Sequence, residues 1–243
     1  MKHKVVALIQ ARVGSTRLRR KVLKNLGGQA VLERVVNRVS QAKSLDRVVV
    51  ATTTSCGDNA VVDLCRKNNW ICYRGSEDDV LDRFYWGASV FAADAVVRIT
   101  ADCPLIDFGL IDDAVNKYLE LFPDIDYVSN LLPRTYPRGL DVEVISPRVL
   151  EDEWKNATEN RQHVTLNIRQ HPENYRIANI ASNVDCSCAR WTLDTREDLE
   201  FTRKVYKHFG EKQFGWMEVI QLLLDNPSWV LKDTDPILEA KVN

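Results

Sequence analysis

No stretch of this 243-residue chain is long and apolar enough to cross a bilayer as a helix. The run Val5-Val6-Ala7-Leu8-Ile9, which follows Met1-Lys2-His3-Lys4, is also too short for the hydrophobic region of a secretory signal. A disulfide framework is missing as well. The six cysteines, at 56, 65, 72, 103, 186 and 188, have no paired spacing, so reduced thiols and a cytoplasmic setting are expected. Cys186-Ser187-Cys188 lacks the Cys-x-x-Cys companion that a zinc site needs. A formal net charge of −1 gives no global attraction to nucleic acid or to an anionic membrane, so neither is an expected partner. Any polyanion has to be held by a local patch. Internal repeats, low-complexity tracts and linkers are absent too, and 1–243 reads as one domain.

What is present is a sizeable apolar fraction, 45%, arranged in alternating elements. Residues 4–10 form a nearly continuous apolar run, as in a parallel strand covered on both faces. Val31, Val35, Val36 and Val39 repeat with helical spacing. Strands are expected at 47–52, 70–73 and 95–99, and helices at 58–68 and 76–92, the latter opened by Ser76 with Asp79 three residues on. This alternation predicts an α/β fold with a doubly wound, mostly parallel sheet. The pattern loosens after Pro123. Strands at 127–129 and 142–145 flank a Pro/Arg/Gly loop, helices follow near 147–155 and 158–170, and strands at 175–181 and 190–193 precede helices over 195–209 and 216–225. Residues 123–175 are expected to form a less regular excursion.

Open α/β sheets bind ligands beyond the carboxyl ends of their strands. Three places qualify: the loop after the first strand, the turn after Ile99 and the turn after Leu193. The first reads Ala11-Arg12-Val13-Gly14-Ser15-Thr16-Arg17-Leu18-Arg19-Arg20-Lys21-Val22-Leu23. Gly14 lets main-chain N–H groups approach phosphate oxygens, arginines offer a planar fork and Lys21 a point charge. Phosphate binding is favoured over a solvated basic loop, although the Gly-Lys-Ser/Thr ending of a Walker A loop is absent. At the second, Thr100-Ala101-Asp102 puts a carboxylate opposite that loop, where it would hold Mg²⁺ with phosphate oxygens or, alternatively, cap the next helix. At the third, Asp194 ends Trp191-Thr192-Leu193-Asp194, and capping is again the alternative, although Thr195 can serve that purpose.

The first motif resembles the loop of the CMP-sugar-acid synthetases, the KDO and acylneuraminate cytidylyltransferases, and is most similar to their spore-coat-polysaccharide branch. The likeness continues in Tyr73-Arg74-Gly75-Ser76-Glu77-Asp78-Asp79-Val80-Leu81-Asp82-Arg83-Phe84 and in Arg98-Ile99-Thr100-Ala101-Asp102-Cys103-Pro104-Leu105-Ile106-Asp107. It extends to Tyr136-Pro137-Arg138-Gly139-Leu140-Asp141-Val142-Glu143-Val144 and Leu193-Asp194-Thr195-Arg196-Glu197-Asp198-Leu199, and so spans about 4–200. Two departures stand out. Arg19-Arg20 replace the family's Pro-Gly, and His163-Val164-Thr165-Leu166 replaces His-Val-Thr-Pro.

The resemblance implies a nucleotide-diphospho-sugar-transferase-like, Rossmann-like fold whose excursion serves sugar binding and dimerisation. It implies CMP transfer from CTP to an acidic sugar, with pyrophosphate released. Arg12, Lys21 and Asp102 would be catalytic, and Asp102 with Asp194 would hold Mg²⁺. Ala11, Arg12, Gly14, Ser15, Arg17, Lys21, Arg74, Gly75, Ser76, Thr100 and Ala101 would bind the nucleotide, the Arg74 stretch reading cytosine and ribose. Arg138, Asp141, Glu143 and His163 would face the sugar; for Arg138 the other reading is a plain turn. A same-fold glycosyltransferase and a non-catalytic nucleotide-binding protein are the alternatives, and pyrophosphate release separates them.

Overall fold

The computed structural model describes residues 3–15 and 17–230. Thr16, Met1, Lys2 and 231–243, and the part of the expected 1–243 domain they make up, lie outside the described residues. The strands are β1 (Val5–Gln10), β2 (Asn25–Leu26), β3 (Gln29–Ala30), β4 (Arg47–Thr53), β5 (Ile71–Gly75), β6 (Ala95–Thr100), β7 (Tyr127–Ser129), β8 (Glu143–Ile145) and β9 (Ile177–Asn179). The helices are α1 (Val31–Val39), α2 (Asn59–Lys67), α3 (Val80–Val90), α4 (Phe108–Leu121), α5 (Pro147–Asn156), α6 (Leu166–Gln170), α7 (Arg196–Phe209) and α8 (Trp216–Asp225).

Seven strands form one sheet in the order β5-β4-β1-β6-β8-β7-β9, with β2 and β3 as a separate hairpin. β5, β4, β1 and β6 run parallel, and β8 is antiparallel to both its neighbours. The expected mostly parallel sheet is therefore correct, and β1 shows why its sequence carries no alternation. Val5, Ala7 and Ile9 enter one core, with α1, α4 and α7; Val6 and Leu8 enter the other, with α3 and α5. With both faces dry, period-two patterning disappears.

Several local features differ from expectation. The expected order omits α4, although its buried Leu110, Ile111, Ala114, Val115 and Tyr118 repeat with helical spacing. Its N-cap is Asp107, whose Oδ1 accepts from Gly109 N at 2.8 Å and Leu110 N at 3.2 Å. The helix expected over 158–170 shrinks to α6. Asn160 takes a positive φ of 55°, and Arg161 pins the segment to Asp79 Oδ2 at 2.6 Å and to the Trp154 and Ala157 carbonyls at 2.8 and 2.9 Å. At α3 the N-cap is Asp79 rather than Ser76, accepting from Asp82 N at 2.8 Å. The strand expected at 190–193 is an extended segment joined to residue 138 through a single parallel bridge.

Candidate active site

The carboxyl ends of three strands are held level. Gln10 pairs with both Ala51 and Thr100, Ala11 N donates to Ala51 O at 3.1 Å, and Ala101 N donates to Gln10 O at 3.0 Å. Beyond β1 the chain turns into its cationic loop. Asp58, 2% exposed, fixes that turn: Oδ1 accepts from Val13 N at 2.7 Å, and Oδ2 accepts from the Thr53 hydroxyl. A Cβ built on Gly14 would meet nothing within 4 Å, so this backbone borders open space. Arg20 takes φ 54°, ψ 35°, immediately before the 3₁₀ turn Lys21–Leu23. The loop thus keeps a conformation that glycine adopts freely while placing an arginine there, at a cost of about 1–2 kcal/mol.

A cleft of about 270 Å³ opens over these ends, lined by Arg12, Gly14, Ser15, Arg17, Lys21, Thr100, Asp102 and Asp194, together with Gln10 and Val22. All but the last two were expected at the site, and three distant segments deliver them. At its floor Lys21 Nζ donates to Asp102 Oδ2 at 2.6 Å and to Asp194 Oδ1 at 2.8 Å, while Arg17 reaches Asp194 Oδ2 at 3.1 Å. Burial pulls the Lys21 pKa down, but the charges and hydrogen bonds of Asp102 and Asp194 outweigh it and hold the ammonium above its ordinary value. Burial likewise raises Asp102, and the Lys21 charge and hydrogen bond reverse this and keep the carboxyl below its ordinary value.

Neither aspartate caps a helix. Asp107 caps α4 and Thr195 caps α7, its hydroxyl accepting from Asp198 N at 3.2 Å. Asp194 is instead fixed by its backbone. Its N–H and that of Thr195 donate to Asp198 Oδ2, each at 2.8 Å, and Leu193 N donates to Asp102 O at 2.8 Å. Asp198 and Asp58 are thus positioning residues that motif reading passes over; the acid three residues into α7 was visible only as a capping feature.

Other expected residues lie around the cleft rather than in its lining. Ala11 and Ala101 are buried beneath it, their small side chains allowing close approach. Arg74, expected at cytosine and ribose, donates to the carbonyls of Thr53 at 2.8 Å and Ser55 at 3.0 Å, tying the end of β5 to β4. Gly75 has no room for a side chain, since a Cβ would come within 2.9 Å of Arg83 Cγ. Ser76 Oγ accepts from Asp79 N at 3.0 Å. Arg83 is wholly buried; one nitrogen donates to Ser76 O at 2.6 Å, while Nε and Nη2 meet no acceptor among the described residues. Burial, then the like charge of Arg12, push its pKa down to about 10.

On the opposite flank, β8 begins beside the end of β6, with Glu143 opposite Arg98. Asp141 is held bidentately by Arg134, at 2.6 and 3.0 Å. Arg138 donates its N–H to Ala189 O at 2.9 Å and accepts from Trp191 N at 2.7 Å. Gly139, at φ 101°, packs so tightly that a Cβ would lie 2.8 Å from Thr192 N. Glu143, expected at the sugar, belongs to the core instead. It is 1% exposed, paired with Arg98, and accepts from the Tyr127 and Thr165 hydroxyls, each at 2.5 Å. His163 sits on an exposed turn before α6 rather than within a helix.

The donors fit a hard divalent cation. Two carboxylates already converge on one ammonium, and Mg²⁺ binds through one or two carboxylates plus phosphate and water. Among the described residues no group of three or more His, Cys, Asp or Glu could hold a metal, so water or phosphate oxygens would complete the shell around these two carboxylates.

A family model described as cytidylyltransferase matches residues 6–223. The chain is 38% identical over 228 residues to an uncharacterised protein of Methanocaldococcus jannaschii, covering 92% of each. It is 34% identical over 233 residues to the spore coat polysaccharide biosynthesis protein SpsF of Bacillus subtilis, covering 92% of this chain and 95% of that one. A solved cytidylyltransferase from Leptospira borgpetersenii serovar Hardjo-bovis superposes with a TM-score of 0.91 at 32% identity, covering 96% of this chain and 98% of that one. With its three strand ends, cationic loop and paired aspartates arranged as above, the chain belongs to the cytidylyltransferase family and is a CTP-dependent nucleotidyltransferase.

Proposed function

We propose that this enzyme transfers CMP from CTP to a hydroxyl of an acidic sugar in surface-polysaccharide or glycan synthesis. The observation that carries the proposal is the convergence of Lys21, Asp102 and Asp194 at the floor of a cleft whose rim is Arg12, Gly14, Ser15 and Arg17. The likeness to SpsF, named for spore coat polysaccharide biosynthesis, supports the polysaccharide setting.

In this reading Arg12, Arg17 and Lys21 neutralise the triphosphate, and the backbone at Gly14 and Ser15 lies against its oxygens. Asp102 and Asp194 would hold Mg²⁺, which supplies charge neutralisation on the phosphates. The sugar hydroxyl oxygen bonds to the α-phosphorus as the bond from that phosphorus to the β-phosphate oxygen breaks. Pyrophosphate leaves and the hydroxyl proton passes to solvent. Positioning and electrostatics do most of the catalysis. The nucleoside would extend toward Arg74, Gly75 and Ser76, with Thr100, Ala11 and Ala101 beneath it, and the acceptor would lie toward Arg138, Asp141 and His163. A cytoplasmic homodimer, with 123–175 at the interface and in the acceptor site, belongs to the same reading; light scattering that gave only monomer would remove the dimer.

Pyrophosphate release, measured with each of four nucleoside triphosphates and a panel of acidic sugars, tests the proposal. CTP with at least one acidic sugar should turn over. Release of a nucleoside diphosphate from a nucleotide-sugar would favour a glycosyltransferase instead, and CTP binding without turnover on any acceptor would favour a binding protein.

A further inference from the structure

The Lys21 ammonium occupies the position that a cation shared by both aspartates would need. It lies 2.6 Å from one carboxylate and 2.8 Å from the other, with only 13% of its side chain exposed. Mg²⁺ would have to approach such oxygens to about 2.0–2.1 Å, so ammonium and metal cannot share this seat. The seat itself is rigid, because Leu193 N bonds to Asp102 O and Asp198 holds the backbone at 194 and 195. Lys21, by contrast, carries its charge on a flexible four-carbon stem from a loop whose Arg17, Arg19 and Arg20 are exposed. Formal charges at the seat already cancel: two carboxylates against Lys21 and Arg17. A divalent cation arriving alone would have to displace a well-placed counter-ion and would leave the seat positive. A polyphosphate removes both obstacles, since it attracts the two side-chain cations and brings negative charge of its own.

We propose that Lys21 is an internal counter-ion that closes the two-aspartate seat to divalent metal until a polyphosphate draws its ammonium away, so that metal and nucleotide enter as one unit. The proposal rests on the nucleotide reading above but makes a separate demand on this chain. Nucleotide-free protein should bind metal poorly because of Lys21, and not because its carboxylates are too few.

The test is a Mn²⁺ titration followed by electron paramagnetic resonance, without nucleotide, with the melting temperature of each variant recorded. Lys21→Met should bind Mn²⁺ at least about tenfold more tightly than the parent, because an opposing unit charge within hydrogen-bond distance is gone. Lys21→Arg, which keeps the charge, should stay near the parent, and Asp102→Asn added to Lys21→Met should abolish the gain. If Lys21→Met does not fold, Lys21→Gln, which retains a donor for one carboxylate, serves in its place. Equal affinity in parent and neutral variants would overturn the proposal. So would tight Mn²⁺ binding by the nucleotide-free parent that Asp102→Asn removes, a measurement needing no Lys21 variant. Calorimetric binding of CTP to the parent keeps the two readings apart. No CTP binding with the Mn²⁺ pattern intact sinks the nucleotide reading alone, and CTP binding with unchanged Mn²⁺ affinity sinks the closed seat alone.

Discussion

Both flanks of the sheet pair their acids with cations, but only one does so at the floor of an open cleft. Between β1 and β6 the ionisable groups crowd one open cleft, and Arg12 and Arg17 stand exposed at its rim. From β8 to β9 the ionisable groups have largely consumed one another. Glu143 binds Arg98, Asp141 binds Arg134, and Asp126 accepts from Arg148 at 2.5 Å and Arg176 at 2.9 Å. An open cationic cleft suits a polyanion that brings its own charge. A flank whose charges are already paired selects by shape and by whichever pairs it can release, and removing one partner of a buried pair there is costly.

The largest effect is expected where the first flank is disarmed. Asp102→Asn keeps the shape of the residue and removes a carboxylate from the seat. Turnover should fall by about a hundredfold or more, because several kcal/mol of charge stabilisation depend on it. Melting should change less than turnover, since Asp194 keeps a carboxylate on the Lys21 ammonium after the Asp102 contact is lost. Pyrophosphate release and calorimetry check this, and near-normal turnover with normal melting would break the contrast at its strong end.

On the other flank the same substitution should do the reverse. Glu143→Gln leaves Arg98 buried beside a neutral amide, and unfolding in urea at neutral pH should show a loss of about 3–5 kcal/mol. Turnover per folded molecule should stay within a few-fold. Burial raises the Glu143 pKa, but the Arg98 charge and the Thr165 and Tyr127 hydrogen bonds bring it below the ordinary carboxylate value. A depressed folded pKa gives stability that is complete above the unfolded value, about 4.3, and is lost as pH falls through the folded one. The parent should therefore lose stability below about pH 4 more steeply than the variant. A large rise in KM for the acceptor with unchanged melting would instead return Glu143 to the sugar site.

How far the sequence reveals these flanks follows from how locally each is encoded. β1, β4 and β6 are legible as apolar runs, and the cleft is legible because Gly14, its neighbouring cations and two strand-end aspartates each carry a local pattern. α4 carries one as well, in Leu110, Ile111, Ala114, Val115 and Tyr118, which lie on one helical face. Asp58 and Asp198 are less visible because the groups they position are backbone N–H groups, that of Val13 lying 45 residues from Asp58. Glu143 is misread for a related reason. Its partner is set by the register of an antiparallel strand, Arg98 opposite Glu143, which no spacing along the chain announces. The 158–170 segment looks helical until one sees Arg161 spending its hydrogen bonds on Asp79, Trp154 and Ala157.

The smallest expected effect sits at the junction of fold and cleft, in Arg20. Its backbone is left-handed, at φ 54°, which costs an arginine about 1 kcal/mol or more relative to glycine. Its side chain is exposed and, like that of Arg19, is not among those lining the cleft. Arg20→Gly should thus relieve strain, offset in part by the greater freedom of glycine in the unfolded chain, for a net gain of up to about 1 kcal/mol. One exposed charge near a triphosphate is worth about 0.5–1 kcal/mol at low salt, so CTP affinity should drop by no more than about fivefold. That difference should fade as salt rises, while the gain in stability should not. Urea unfolding and CTP calorimetry at two ionic strengths separate the effects. A loss of CTP affinity well beyond this range that survives high salt would mean that Arg20 reaches the triphosphate directly, extending the open cationic flank by one residue. A loss of stability would mean that the left-handed turn is held by the arginine side chain rather than endured by its backbone.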